Sequence, residues 1–331
     1  MNRDVIVERL AKEFETKKEY VANVMDMLDN GDTVPFISRY RKELHGDMDV
    51  RGLSERYEYM KNLEARKETA LAAIEEQGKL TPELKRRFEN ALTLGEVEDL
   101  YLPYRPKKKT RASVAKARGL EPLADLLLSN GKAPAEKLAE NFLGDEVPDA
   151  AAALNGACDI IAERVAENAD IRSMARSYVF ERGTLSAARA TDEETVYDNY
   201  YDFHAAPKRI QGHQCLAINR AEKEGALKVK IESDSDRMIA QIERRVIPRG
   251  SNYADILDAA VTDSYDRLLE PAIIRDIRSS LTEQAEDGAI RNFKVNLKAP
   301  LVQAIVPDKV IMGLGPGYSH GCKVGIIDSQ G

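Results

Sequence analysis

No segment of this chain approaches the roughly 18 consecutive apolar residues that a membrane-spanning helix requires, so no membrane partner is expected. Met1 to Leu10 alternate charged with apolar side chains and lack the apolar centre of a secretory signal, and a cytoplasmic address is the expectation. Cysteine is sparse. Cys158, Cys215 and Cys322 are odd in number and widely separated, which argues against a disulfide framework and against a paired-cysteine zinc site. Histidine is equally scattered: His213 stands near Cys215 without a second ligand pair, and His45, His204 and His320 are isolated, so no metal and no cofactor are expected. Short-period repeats and low-complexity tracts are also missing.

What is present is globular. The 331 residues are 43% hydrophobic and 32% charged, enough chain for two or more domains around a sizeable core. The net charge of −7 raises the general cost of approaching a polyanion, although local charge decides contacts.

Most of the chain has helical spacing. Ser54 is placed to cap a helix running toward Gln77, with Tyr57, Met60, Leu63, Leu71 and Ile74 on one face and Gly78 as its stop. Thr81-Pro82-Glu83 reads as an N-cap followed by a first-turn proline, with Gly95 as the end of that helix. Asp149 opens another helix carrying Leu154, Cys158, Ile161 and Val165, and a further one carries Ile171, Met174 and Tyr178 up to Gly183. Asn252 to Gln284 is helical again, with Pro271 kinking or dividing it. Between Gly183 and Glu232 the pattern changes: Thr184 to Ala190 suits a short strand, and Leu227, Val229 and Ile231 alternate with charged residues as a one-sided strand does.

The last stretch, "VIMGLGPGYSHGCKVGIIDSQG", crowds glycines behind an apolar run. A dinucleotide fingerprint from Gly313 needs glycine at Tyr318, and one from Gly315 needs it at His320; a P-loop fails because Cys322 separates Gly321 from Lys323. Both motifs also require a helix after the turn. Cys322 to Asp328 is apolar and β-branched instead, so a hairpin is predicted, and a hairpin with two open edges is expected to belong to a larger sheet.

Two basic stretches could contact phosphate. "PYRPKKKTRASVAKARG" holds Arg105, Lys107, Lys108, Lys109 and Arg111 with no acidic residue, and its prolines favour an exposed loop beside Tyr101 and Tyr104, which could stack on bases. The alternative is a solvated loop paired with Glu96, Glu98 and Asp99. About four contacts to single-stranded phosphates would give log affinity against log salt a slope near −3. "PFISRYRKELHG" holds Arg39, Arg41 and Lys42; as one helix it would put Arg39 and Lys42 on a shared face and turn Phe36 and Tyr40 inward. Salt bridging between domains is an equal alternative there. Asn219-Arg220 with Lys223 makes a weaker third spot.

These stretches together carry a resemblance. "VPFISRYRKELHG", "LTLGEVEDLYLPYRPKKKTRASVAKARGLEPLA", "LAINRAEKEGALKVKIE" and "GLGPGYSHGCKVGIIDSQG" are similar, in order, to the Tex family of bacterial transcription accessory proteins. The resemblance implies a mostly α fold: a multi-helical N-terminal region with a helix-turn-helix-like element and a long central helix, a minor β component, and a truncated RNase H-like β-hairpin. The corresponding divisions are a helical N-terminal domain over 1–130, a helical central region with a small β component over 131–305, and the first hairpin of a YqgF-type, RNase H-like domain over 306–331. It also implies an N-terminal fragment of a longer protein that lacks the family's RNA-binding domain. Family members resemble "GLDPG" where this chain has Gly315; RNase H-like nucleases hold catalytic metal with that aspartate, so a non-enzymatic protein is expected. The expected role is a nucleic-acid-binding transcription accessory protein whose partner is RNA or DNA, with RNA the leading reading, and with transcription or ribosome machinery as further partners. A protein-interaction scaffold is the alternative, and a metal-dependent nuclease a distant third.

Overall fold

Capping chemistry sets most of the helix boundaries in the computed structural model, which describes residues 3–106, 109–129, 131–302, 308–317 and 321–329. Helices α1 (Arg3–Glu13) and α2 (Lys18–Asp29) lead into α3 (Val34–Tyr40), where the Thr33 hydroxyl accepts from the Phe36 N–H and Pro35 occupies the first turn. After the single turn of α4 (Lys42–His45), the 27-residue α5 (Val50–Glu76) begins at Asp49, whose carboxylate accepts from the N–H groups of Arg51 and Gly52. That cap starts the helix about one and a half turns before Ser54, the expected cap. Its stop is as expected: Gly78 has φ +67, a conformation that a side chain resists.

Helix α5 joins two cores. Its first half packs Val50, Leu53, Tyr57 and Met60 with Leu10, Val21, Val24, Met25 and Ile37. Its second half packs Leu63, Ala70 and Ile74 with Phe88 of α6 (Pro82–Asn90) and Val97 and Leu100 of α7 (Leu94–Tyr101). The sequence reading of one helix ending at Gly95 is corrected here. Thr93 accepts from the Glu96 N–H while the Glu96 carboxylate accepts from the Leu92 N–H, and this reciprocal cap starts a new helix with Gly95 inside it.

The next helices are α8 (Arg111–Ala117), α9 (Glu121–Leu128), α10 (Ala135–Ala139), α11 (Ala150–Glu167) and α12 (Ala169–Arg182). Asp149 caps α11 as expected, accepting from the Ala152 N–H at 2.7 Å. The helix is buried on more than the one stripe read from sequence, because α8, α9 and α10 all pack around it. Gly156 lets α8 close in: a Cβ there would lie 2.4 Å from Leu120 and 3.4 Å from Ala115.

Three antiparallel strands follow in the order β2-β1-β3, with β1 (Thr184–Arg189) between β2 (Asp202–Ala205) and β3 (Leu227–Glu232). Leu227 and Ile231 are buried and Lys228, Lys230 and Glu232 exposed, the alternation that the sequence displays. Helix α13 (Gly212–Lys223) precedes β3, and α14 (Ser235–Val246) and α15 (Ala254–Asp263) follow it. Pro271 divides the long helical segment as expected. It lacks the N–H that the Arg267 carbonyl would receive in an α-helix, and Ser264–Leu269 widen into a π-helical turn before α16 (Glu270–Leu301).

Strands β4 (Ile311–Gly317) and β5 (Gly321–Ile327) form the expected hairpin, in register from Ile311 opposite Ile327 to Gly317 opposite Gly321. A side chain at Gly317 would meet the Gly321 carbonyl at 2.7 Å, and Gly321 has φ +76, so both glycines serve the turn. Every described residue of the hairpin is exposed. The fold is therefore mostly α with a small sheet and a terminal hairpin. By contacts the chain forms two units, Met1–Val179 with Ser233–Ile274, and Phe180–Glu232 with Arg275–Gly331.

Where α14 packs against α15, a hydrogen bond to the Asp258 carboxylate pushes the Glu243 carboxyl up to about 7. Because the folded chain holds this proton more tightly than the unfolded chain, the stability involved is present in full below the ordinary value of 4.5 and is lost as pH rises through about 7. Glu243→Gln keeps the donor without titrating. The variant is expected to flatten the dependence of Tm on pH between about 5 and 8, and to melt above the parent at the alkaline end. Superimposable profiles would contradict the assignment.

Candidate nucleic-acid interface

The two basic stretches end in different environments. In the first, Tyr101 and Tyr104 are half-buried against the core of α5, α6 and α7 rather than open as stacking surfaces. Guanidinium groups already cover Tyr101, with Arg66 at 5.1 Å and Arg105 at 5.9 Å from its ring centroid, and the Tyr104 carbonyl accepts from Gln77 at 2.9 Å. The carboxylate of Glu98 binds both Arg66 and Arg105. The hydrogen-bonded Arg66, with Arg105 adding its charge, holds the Glu98 carboxyl below its ordinary value.

Of the residues expected on this loop, Lys107 and Lys108 lie outside the described residues, and Lys109 is exposed. Arg111 is exposed at the start of α8, where its charge opposes the burial that pushes the Asp159 carboxyl up. Farther along, Lys116 and Arg118 meet Glu163 and Glu146 at 3.6 and 3.5 Å. The acidic neighbours divide their work: Glu98 pairs with the loop, Glu96 caps α7, and Asp99 faces inward. Asp99 is 4% exposed and accepts from Arg172 Nε at 2.6 Å and from Arg176 at 2.7 and 3.1 Å.

The second stretch is more open than its sequence suggests. A continuous helix would bring Arg39 and Lys42 to one face, but Arg41 breaks the helix with φ −128 and ψ 35, serving as the end of α3 and the start of α4. Phe36 and Tyr40 do not pack inward either, because Ile37 takes the buried position of α3 and turns both rings outward. Phe36 is 36% and Tyr40 63% exposed, their ring centroids 5.5 Å apart and tilted by 46°. The Arg41 guanidinium lies 5.3 Å from the Phe36 ring centroid. Arg39, Arg41 and Lys42 are all exposed. Lys42 meets Asp47 at 2.9 Å in a fully solvated pair and holds that carboxyl below its ordinary value. Two exposed rings and three exposed cations thus lie within the short stretch from Phe36 to Lys42, with Arg41 against the Phe36 ring, a combination that can stack bases and neutralise phosphates.

The third spot is structural. Asn219 of α13 donates to Thr282 at 2.8 Å and accepts from Arg278 at 2.9 Å, tying α13 to α16, and Arg220 pairs with Glu224. The sequence reading missed two groupings: the Asp99, Arg172 and Arg176 cluster, and an arginine face on α14. The second was legible, since Arg237 and Arg244 stand seven apart with Met238 and Ile242 at buried spacing between them.

Among the described residues no three His, Cys, Asp or Glu side chains gather as metal ligands, and no helix is long and apolar enough to cross a membrane. At Gly315, which the sequence reading compares with an aspartate, an added Cβ would make only ordinary contacts of 3.8 Å with Lys323, so there is room for a side chain.

Two family profiles match the helices just described: the Tex-like protein N-terminal domain over residues 4–75 and the Tex central region-like domain over residues 130–293. The chain belongs to the Tex family. It is 40% identical to the uncharacterized protein YdcI of Bacillus subtilis, across 99% of this chain and 47% of that protein. Identity to protein tex of Bordetella pertussis is 37%, across 98% and 44%, and to the transcriptional accessory protein Tex of Neisseria gonorrhoeae 34%, across 97% and 44%. The chain spans a little under half the length of these curated relatives.

Proposed function

We propose that this chain is a non-catalytic, RNA-binding part of a transcription accessory protein, and that its contact surface is the α3–α4 turn. The observation that carries this reading is the exposed pair Phe36 and Tyr40 flanked by Arg39, Arg41 and Lys42. Outward rings cost apolar exposure with no return in the fold, and basic neighbours equip them for an unstacked, negatively charged strand. The name of the Neisseria relative, a transcriptional accessory protein, supports the cellular setting. The absent carboxylate at Gly315 supports a role without hydrolysis, because two-metal cleavage needs that ligand set.

Binding to a labelled single-stranded RNA, followed by anisotropy, tests the surface. Arg39→Gln with Arg41→Gln is expected to weaken binding by about tenfold at low salt, whereas Lys107→Gln, Lys108→Gln and Lys109→Gln together are expected to have a smaller effect. Single-stranded DNA of the same sequence is expected to bind more weakly. Affinity unaltered by the α3–α4 pair would remove the basis of the proposal and favour the protein-interaction scaffold, which the net charge of −7 also suits.

A further inference from the structure

Helix α14 carries arginines beside its packed stripe. Met238 and Ile242 are buried, while Arg237, Gln241 and Arg244 fall within a sector of about 60° centred about 110° around the axis from them, given 3.6 residues per turn. Together with Ala240 they line a surface cavity of about 410 Å³. Arg245 and, beyond the helix, Arg249 are also exposed. Acidic residues outnumber basic ones in this chain, 56 to 49, and several arginines elsewhere are drawn into ion pairs, among them Arg66 with Glu98 and Arg164 with Glu121. Among the described residues no salt bridge joins Arg237 or Arg244 to a carboxylate, although the charge of Arg244 acts on the neighbouring Glu243 carboxyl and opposes its rise. The acidic residues of the helix lie off this sector: Asp236 is about 100° from Arg237 around the axis, and Glu243 is occupied by Asp258.

We infer that this face of α14 is a second phosphate-contacting surface, taking the backbone of a single-stranded nucleic acid; the inference rests on the nucleic-acid reading above and adds a site to it. Arg237 and Arg244 are seven residues apart, about 10 Å along the helix, so one phosphate cannot satisfy both and an extended polyanion can. Guanidinium groups match phosphate with paired N–H donors, and the Gln241 amide between them adds a further donor. An acidic peptide is the competing polyanion. Peptide recognition draws on buried apolar anchors, and among the described residues the apolar side chain lining this cavity is the methyl of Ala240.

The test uses the full chain and a fluorescein-labelled single-stranded oligouridylate over a series of salt concentrations. Arg237→Gln with Arg244→Gln is expected to weaken binding about five- to tenfold and to reduce the slope of log affinity against log salt by about 1.4, two contacts at about 0.7 each. Both side chains are exposed, so Tm should stay within about 2 °C of the parent, and Arg237→Lys with Arg244→Lys should restore most of the slope while recovering only part of the affinity. Unaltered affinity and slope in a folded Gln variant would overturn the inference, as would equal competition for this surface by polyglutamate. The two proposals separate cleanly in the same assay. If Arg39→Gln with Arg41→Gln weakens binding and the α14 variant does not, only the present inference fails; if the parent chain does not bind RNA, the functional reading fails first.

Discussion

Asp99→Ala should destabilise the chain by about 3–5 kcal/mol, the largest loss expected from any single substitution considered for this fold. The carboxylate is buried on α7 and bridges two guanidinium groups on α12, one of them, Arg172, with only 9% of its side chain exposed. Removing it deletes three charge-assisted hydrogen bonds and takes the shared carboxylate away from two guanidinium groups, one of them buried. The expected drop in Tm is on the order of 10 °C. The loss reflects a buried charge short of its carboxylate, so it should shrink when that charge goes too: adding Arg172→Met to Asp99→Ala is expected to recover part of the stability. Thermal melts of the two variants decide the point. A cost under about 1 kcal/mol for Asp99→Ala, or no recovery in the double variant, would mean that the cluster is solvated and contributes little.

Phe36→Ala with Tyr40→Ala should weaken binding to single-stranded RNA by roughly 30-fold or more while leaving the fold intact. Stacking of one base on an aromatic side chain contributes about 1–3 kcal/mol, and two exposed rings at this separation can each receive one base. Their removal should cost little stability, since Ile37, not either ring, anchors α3. The pattern across variants is informative. Losing the rings should lower affinity with the salt slope retained, whereas losing Arg39 and Arg41 should lower the slope. Phe36→Tyr and Tyr40→Phe, which keep the stacking faces, should bind nearly as the parent does. An alanine pair that binds like the parent would leave the exposed rings without this role.

These two sites also show what was legible in the sequence. The hairpin was, because glycines at 317 and 321 and apolar runs on either side leave few conformations that fit. The strand at Leu227 was, because its alternation matches the one-sided sheet. Asp149 and Gly78 announced helix ends through local chemistry that needs no tertiary contact. The break between α6 and α7 was missed because Gly95 looked like a terminator, while the signal lay in the Thr93 and Glu96 reciprocal cap around it. β2 was missed because Asp202-Phe203-His204-Ala205 is short and gains its definition only from β1. Phe36 and Tyr40 were expected inside on spacing alone. Spacing identifies a shared face but not which face is buried, and Ile37 settled that through contacts with α5 and α2 that no local pattern records. Asp99 was assigned to the basic loop for its nearness in sequence; its partners lie 73 and 77 residues away.

The same logic changed the weight of the two basic stretches. The first has the greater density of charge, but Glu98 and the covered face of Tyr101 absorb part of what it offers. The second has fewer cations, and it presents them with both rings outward. Charge count selected the first; accessible stacking surface selects the second.

The dependence of RNA affinity on salt tests the central claim most directly. With Arg39, Arg41 and Lys42 on single-stranded phosphates, log affinity plotted against log salt should have a slope of about −2 or steeper, and Arg39→Gln with Arg41→Gln should bring it about 1.4 nearer zero. A slope near zero for the parent chain, or the same slope in parent and variant, would contradict the account.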